Sequence, residues 1–178
     1  SLQGRIYGVF RETSPSGFKS SVLNSYLQVS ESTEKTMPFD EKELEQCLAF
    51  AKSLTFRAGE KLRAERERAA FDQNYKCGVE LVTSADLALD ELICSAIRET
   101  YPDHKILSEE SSPGFDFSQL ADNDFVWVID PIDGTINFAH EHKHVAISIG
   151  LFRGGERVGG VVNAPFLQEF YWAGKGMG

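Results

Sequence analysis

The sequence predicts an α+β fold, with two N-terminal helices packed on a largely antiparallel sheet. Two segments between residues 40 and 100 carry apolar side chains at helical spacing. From Phe125 onward the pattern changes to short β-branched and aromatic runs, at 125–129, 145–149, 158–162 and 170–172. Gly154-Gly155 between two of these runs is a hairpin signal. The chain has 178 residues, 42% hydrophobic and 25% charged, enough for one domain with a proper core.

Taken in order, residues 1–38 show weak periodicity and many serines, and read as an unassigned, flexible arm. The domain begins near Phe39. Asp40 is placed to cap a first helix, with Glu43 three residues on in a capping-box pattern. Leu44, Cys47, Leu48, Ala51, Leu54, Ala58 and Leu62 form its apolar face. The charged run 61–68 reads as a solvated face of the same helix. A second helix is expected from about Asp86 to Thr100, with Leu89, Leu92, Ile93, Ala96 and Ile97 as its stripe and Tyr101-Pro102 ending it. Lys105-Ile106-Leu107 reads as a short strand ending at Glu109-Glu110, and 111–124 as a polar loop.

The run Phe125-Val126-Trp127-Val128-Ile129 reads as a buried strand that stops at Asp130. Asp130 and Asp133 then flank Pro131 and Ile132, and Gly134-Thr135 follows. Pro131 keeps Asp130 extended, so the following turn can aim both acids and the Ile132 carbonyl at one point. Oxygen ligands of this kind suit a hard cation such as Mg²⁺. Gly134 leaves room for close approach of a phosphate, and Thr135 can start a short helix.

Asp130 through Phe138, Asp-Pro-Ile-Asp-Gly-Thr-Ile-Asn-Phe, resembles the signature of the inositol monophosphatase family at every position. Ile106 to Glu110 resembles the family's strand ending in paired glutamates, with Ser108 where glycine is usual. Leu81 to Asp86 is similar to its Val-Thr-x-x-Asp segment. The resemblance implies the N-terminal half of the family's αβαβα sandwich over residues 39–178, and hydrolysis of a phosphate monoester, with Mg²⁺ as cofactor. It implies that Glu109, Asp130, Asp133 and the Ile132 carbonyl hold metal, and that Thr135, hydrogen-bonded to Asp86, activates a water. Glu109, Ile132, Asp133, Gly134 and Thr135 are the expected substrate contacts, and Glu110 supports the site from behind. Lys76 is a candidate for the family's loop lysine, although the spacing differs by one residue and Glu80 stands where aspartate is common.

The implied substrates are inositol phosphates or other sugar phosphates, with histidinol phosphate and 3′-phosphonucleotides as alternatives. A different class, a non-catalytic regulatory or binding protein on the same fold, also fits the sequence. A net charge of −9 argues against a nucleic-acid partner. No apolar run reaches the length of a membrane span and no signal peptide is visible. Cys47, Cys77 and Cys94 read as reduced thiols of a cytoplasmic protein. His140, His142 and His144 read as surface or packing residues and not as a zinc site. The complete family fold implies a homo-oligomer. The family's fourth motif, Trp-Asp followed by Gly-Gly, has no match, since Trp127 and Trp172 precede Val128 and Ala173. The expectation is little phosphatase activity from these residues alone, with an apolar face left uncovered.

Overall fold

A computed structural model describes residues 41–71, 79–111 and 124–177, the side chains of 69–71 and 79–83 excepted. The N-terminal arm, the Asp40 cap, Lys76, Cys77 and most of the expected 111–124 loop lie outside the described residues. Helix α1 spans Glu41–Phe71 and α2 spans Val79–Thr100. Strands β1 (Lys105–Ser108) and β2 (Phe125–Asp133) precede a short helix α3 (Thr135–Ala139), then β3 (Ala146–Arg153), β4 (Glu156–Ala164) and β5 (Glu169–Gly174).

The seven apolar positions expected on one face of α1 are all buried. They pack with Leu89, Ile93 and Ile97 of α2 against Trp127, Ile129, Ile149, Leu151 and Val161 of the sheet. Trp127 is fully enclosed, and its indole N–H donates to His104 Nδ1 at 3.0 Å, so the one polar atom of the ring is satisfied.

The sheet runs in sequence order, β1-β2-β3-β4-β5. It is antiparallel from β2 to β5, but β1 pairs with β2 in parallel. The β3–β4 hairpin closes through Gly154 and Gly155 at φ 56° and 75°, the paired positive angles of a turn that matches strand twist. Two boundaries differ from expectation. α2 begins at Val79, about two turns before Asp86, so the Val-Thr-x-x-Asp segment is helical and Asp86 lies inside the helix. β2 runs on through Pro131 to Asp133 instead of stopping at Asp130. Among the described residues no helix is long and apolar enough to cross a membrane.

Candidate active site

β1 and β2 set the first pair of acids. Their parallel register places Ser108 abreast of Ile129. The Glu109 amide continues the ladder by donating to the Ile129 carbonyl at 3.2 Å. Glu109 therefore leaves the sheet beside Asp130.

The second pair depends on an irregularity in β2. Asp130 faces Ser148 across the β2–β3 ladder, whereas Asp133 faces Ala146, with a register shift between them. In an unbroken strand, residues three apart point to opposite faces. Here Pro131 and Ile132 stand opposite Ile147 alone, so β2 carries one extra residue. That bulge returns Asp133 to the face of Asp130. Proline suits the position, since a residue lifted out of the ladder has no use for an N–H.

Gly134 then takes φ +94° and hands the chain to α3. A Cβ at this position would sit 2.8 Å from the His144 carbonyl, which also accepts a hydrogen bond from Asn137 Nδ2 at 2.8 Å. The glycine is thus required by the turn itself, whatever approaches it. Phe138 is buried under the Arg66 guanidinium, which also donates to the His142 carbonyl at 3.1 Å and anchors α3 to α1. His140, His142 and His144 are exposed, as expected of surface histidines.

α2 packs against β1, β2 and α3 and brings Asp86 to this end of the sheet. Asp86 is 5% exposed and Asp130 8%. Burial first, then the charges of Glu110, Glu109 and Asp90, push the Asp86 carboxyl up to about 8. Burial followed by the charges of Asp133, Glu109 and Asp86 holds Asp130 well above the usual carboxylate range. Glu110 is raised by burial and by Glu109 and Asp90, and Asp133 by burial. Every charge acting on Asp86 and Asp130 in this account is negative.

Among the described residues no hydrogen bond joins Asp86 to Thr135; the Asp86 carboxyl lies within the field of Glu109 and Glu110, which follow β1. Among the described residues no three His, Cys, Asp or Glu side chains converge closely enough to hold a metal ion as they stand. Mutual repulsion among like charges opposes such convergence. The donor set nonetheless fits a hard cation. Asp130 Oδ1 is a buried carboxylate oxygen with no hydrogen-bond partner, surrounded by acids. Asp90 was not foreseen as part of this group. Its signal in the sequence is an acid one helical turn after Asp86, within an otherwise apolar stripe.

The profile of the inositol monophosphatase family matches residues 43–178. The chain belongs to the inositol monophosphatase family. Inositol monophosphatase 1 of Sus scrofa is 35% identical over 134 residues, which are 75% of this chain and 48% of that protein. Inositol-1-monophosphatase of Bacillus subtilis is 41% identical over 99 residues, 56% of this chain and 36% of the relative. Inositol monophosphatase-II from Staphylococcus aureus superposes with TM-score 0.65 at 34% identity, over 75% of this chain and 46% of that one. A structure of SaIMPase-II with inositol monophosphate bound gives TM-score 0.60 at 37% identity, over 75% and 45%. The chain spans about half the length of the curated relatives it matches. The α+β architecture of this family member is that of an N-terminal half.

The acid cluster has a consequence for stability without metal. The folded chain keeps a proton on Asp86 up to about pH 8, whereas an ordinary aspartate loses it near 3.8. Between these values the folded state binds more protons than the unfolded state, so stability falls as pH rises. Asp130, Asp133 and Glu110 act in the same direction. His104, lowered mainly by burial, has the opposite slope, but only below its ordinary value of 6.5. In EDTA the melting temperature is therefore expected to fall by a few degrees between pH 6.5 and 8.5, and Asp86→Asn should flatten the curve. A thermal-melt series with a flat or rising wild-type curve would contradict this.

Proposed function

We propose that this chain supplies the acidic half of a Mg²⁺-dependent phosphate monoester hydrolase acting on inositol phosphates or related sugar phosphates. The observation that carries the reading is Asp130, buried with an unpartnered carboxylate oxygen beside Glu109, Asp133 and Asp86. Glu109, Asp130, Asp133 and the Ile132 carbonyl would hold Mg²⁺. When bound, the cation neutralises phosphate charge and makes a bound water more acidic.

The chain's own residues do the rest. Asp86 in its deprotonated form takes a proton from the attacking water; its raised pKa makes that form a stronger base but leaves it the minority form below about pH 8. The Thr135 hydroxyl orients that water. The amides of Gly134 and Thr135 face the phosphate, and Glu110 holds the ligands from behind. The substrate class is supported by the inositol monophosphate bound in SaIMPase-II. The 2′AMP bound to the same enzyme keeps nucleotide phosphates in the test panel. We place the protein in the cytoplasm, in keeping with the buried free thiols of Cys47 and Cys94, and as a homo-oligomer when complete.

Turnover of a generic phosphate ester with and without Mg²⁺ tests the reaction. Hydrolysis that ignores Mg²⁺ would overturn it. Binding has its own test, since a cation that relieves repulsion among the acids stabilises the folded chain by mass action. Mg²⁺ at 100 times its Kd is expected to add about 2.7 kcal/mol, read as a rise in melting temperature. Asp130→Asn should weaken that rise. A melting temperature unchanged across millimolar Mg²⁺ would remove the site.

A further inference from the structure

Three polar side chains follow one another along α2 at single-turn spacing, Asp86, Asp90 and Cys94. Asp90 is 6% exposed and Ser108, the last residue of β1, 2%. The Ser108 hydroxyl donates to Asp90 Oδ1. Cys94 Sγ donates to the same oxygen at 3.4 Å and lies 3.9 Å from Ser111 Oγ. Ser108 and Ser111 bracket Glu109-Glu110 in the chain. The acidic pair is therefore tied to α2 on both sides, through Asp90 before it and through Cys94 after it.

A buried carboxylate is a poor choice for packing alone. An apolar side chain of similar volume at such a site is often neutral or stabilising. Asp90 is instead placed where a hydrogen bond fixes the end of β1, at the position where Glu109 leaves the sheet. Asp86 sits about one helical turn away, roughly 6 Å along the axis. A single rigid helix thus sets both Asp86 and the grip on the glutamates.

We propose that Asp90 is a positioning residue for the phosphatase reaction, acting through the Ser108 hydroxyl to fix Glu109 and Glu110 relative to Asp86. The inference rests on the proposed function in so far as Glu109 is a metal ligand there. The grip depends on the hydroxyl of Ser108 at the end of β1.

The test uses the full 178-residue chain with Asp90→Ala, Ser108→Ala, the double variant and Asp90→Asn. Amide hydrogen exchange in EDTA is read at Glu109 and along β3 and β4, and the Mg²⁺ midpoint of the thermal shift is read separately. Either alanine variant is expected to speed exchange at Glu109 at least about tenfold, with β3 and β4 unchanged. Each should also raise the Mg²⁺ midpoint roughly 10- to 100-fold, the scale of losing a partner that orients a ligand. The double variant should be no worse than Asp90→Ala, because the bond that Ser108→Ala removes is already lost in that variant. Asp90→Asn keeps a carbonyl acceptor for the hydroxyl and should recover most of the loss.

Unchanged exchange at Glu109 in both alanine variants would overturn the inference. So would equal acceleration throughout the sheet, the sign of a merely structural role. If Asp90→Ala does not fold, Ser108→Ala carries the same comparison. A wild-type chain without a Mg²⁺ response, whose variants still loosen Glu109 selectively, would overturn the metal reading and support the positioning role.

Discussion

Asp86→Asn, in this chain joined to the second half of Sus scrofa inositol monophosphatase 1, is expected to lower kcat by roughly 10²–10⁴-fold with a much smaller effect on KM. The substitution keeps the size of the side chain and a carbonyl acceptor but removes the ability to take a proton. The site is buried and every neighbouring charge is negative, so removing one ionisable acid does not threaten the fold. The variant should melt no lower than wild type at pH 8, which separates a chemical defect from unfolding. Thr135→Ala is expected to act in the same direction. Should the two residues act as one unit on a single water, the double variant will be little worse than the worse single variant. Near-wild-type kcat in both single variants would show that the water is activated elsewhere.

The 178 residues alone are expected to hydrolyse phosphate esters on the order of 10²–10³-fold more slowly than the same residues extended by that second half, the scale of losing one major electrostatic group at a reacting centre. The chain spans about half the length of its curated relatives, and no Trp-Asp motif occurs in it. In the family that motif supplies the aspartate of a second metal position, as the sequence resemblance implies. Glu109, Asp130 and Asp133 by themselves would clamp one side of the reaction, leaving the attacking and leaving oxygens without a shared pair of cations. Phosphate release by both proteins, normalised per folded site, measures the difference. Equal turnover would mean that the described acids suffice.

Much of this was legible in the sequence because it is local. The stripe from Leu44 to Leu62 repeats every three or four residues, and any helix with that stripe must bury it. Gly154-Gly155 closes a two-residue hairpin because both angles are positive, and glycine adopts them without strain. The motifs of the family resemblance point to the candidate acids, and Asp86, Glu109, Asp130 and Asp133 act on one another electrostatically or share the same end of the sheet. The direction of β1 was less accessible, since Lys105–Ser108 reads the same whether its partner runs parallel or antiparallel.

Sequence alone therefore determined the two helices, the hairpin and the order of the strands' apolar runs, which follow from spacing and turn chemistry within a few residues, while the candidate acids come from the resemblance of their motifs to a family. Tertiary structure decided which acids meet. The parallel register of β1 on β2 brings Glu109 to Asp130. The extra residue at Pro131-Ile132 turns Asp133 to the face of Asp130, although a spacing of three would otherwise oppose them. The grip of Asp90 on Ser108 joins positions 18 apart in sequence. Register, bulge and grip depend on how distant segments pack against each other, and no local pattern of residues encodes the choice by itself.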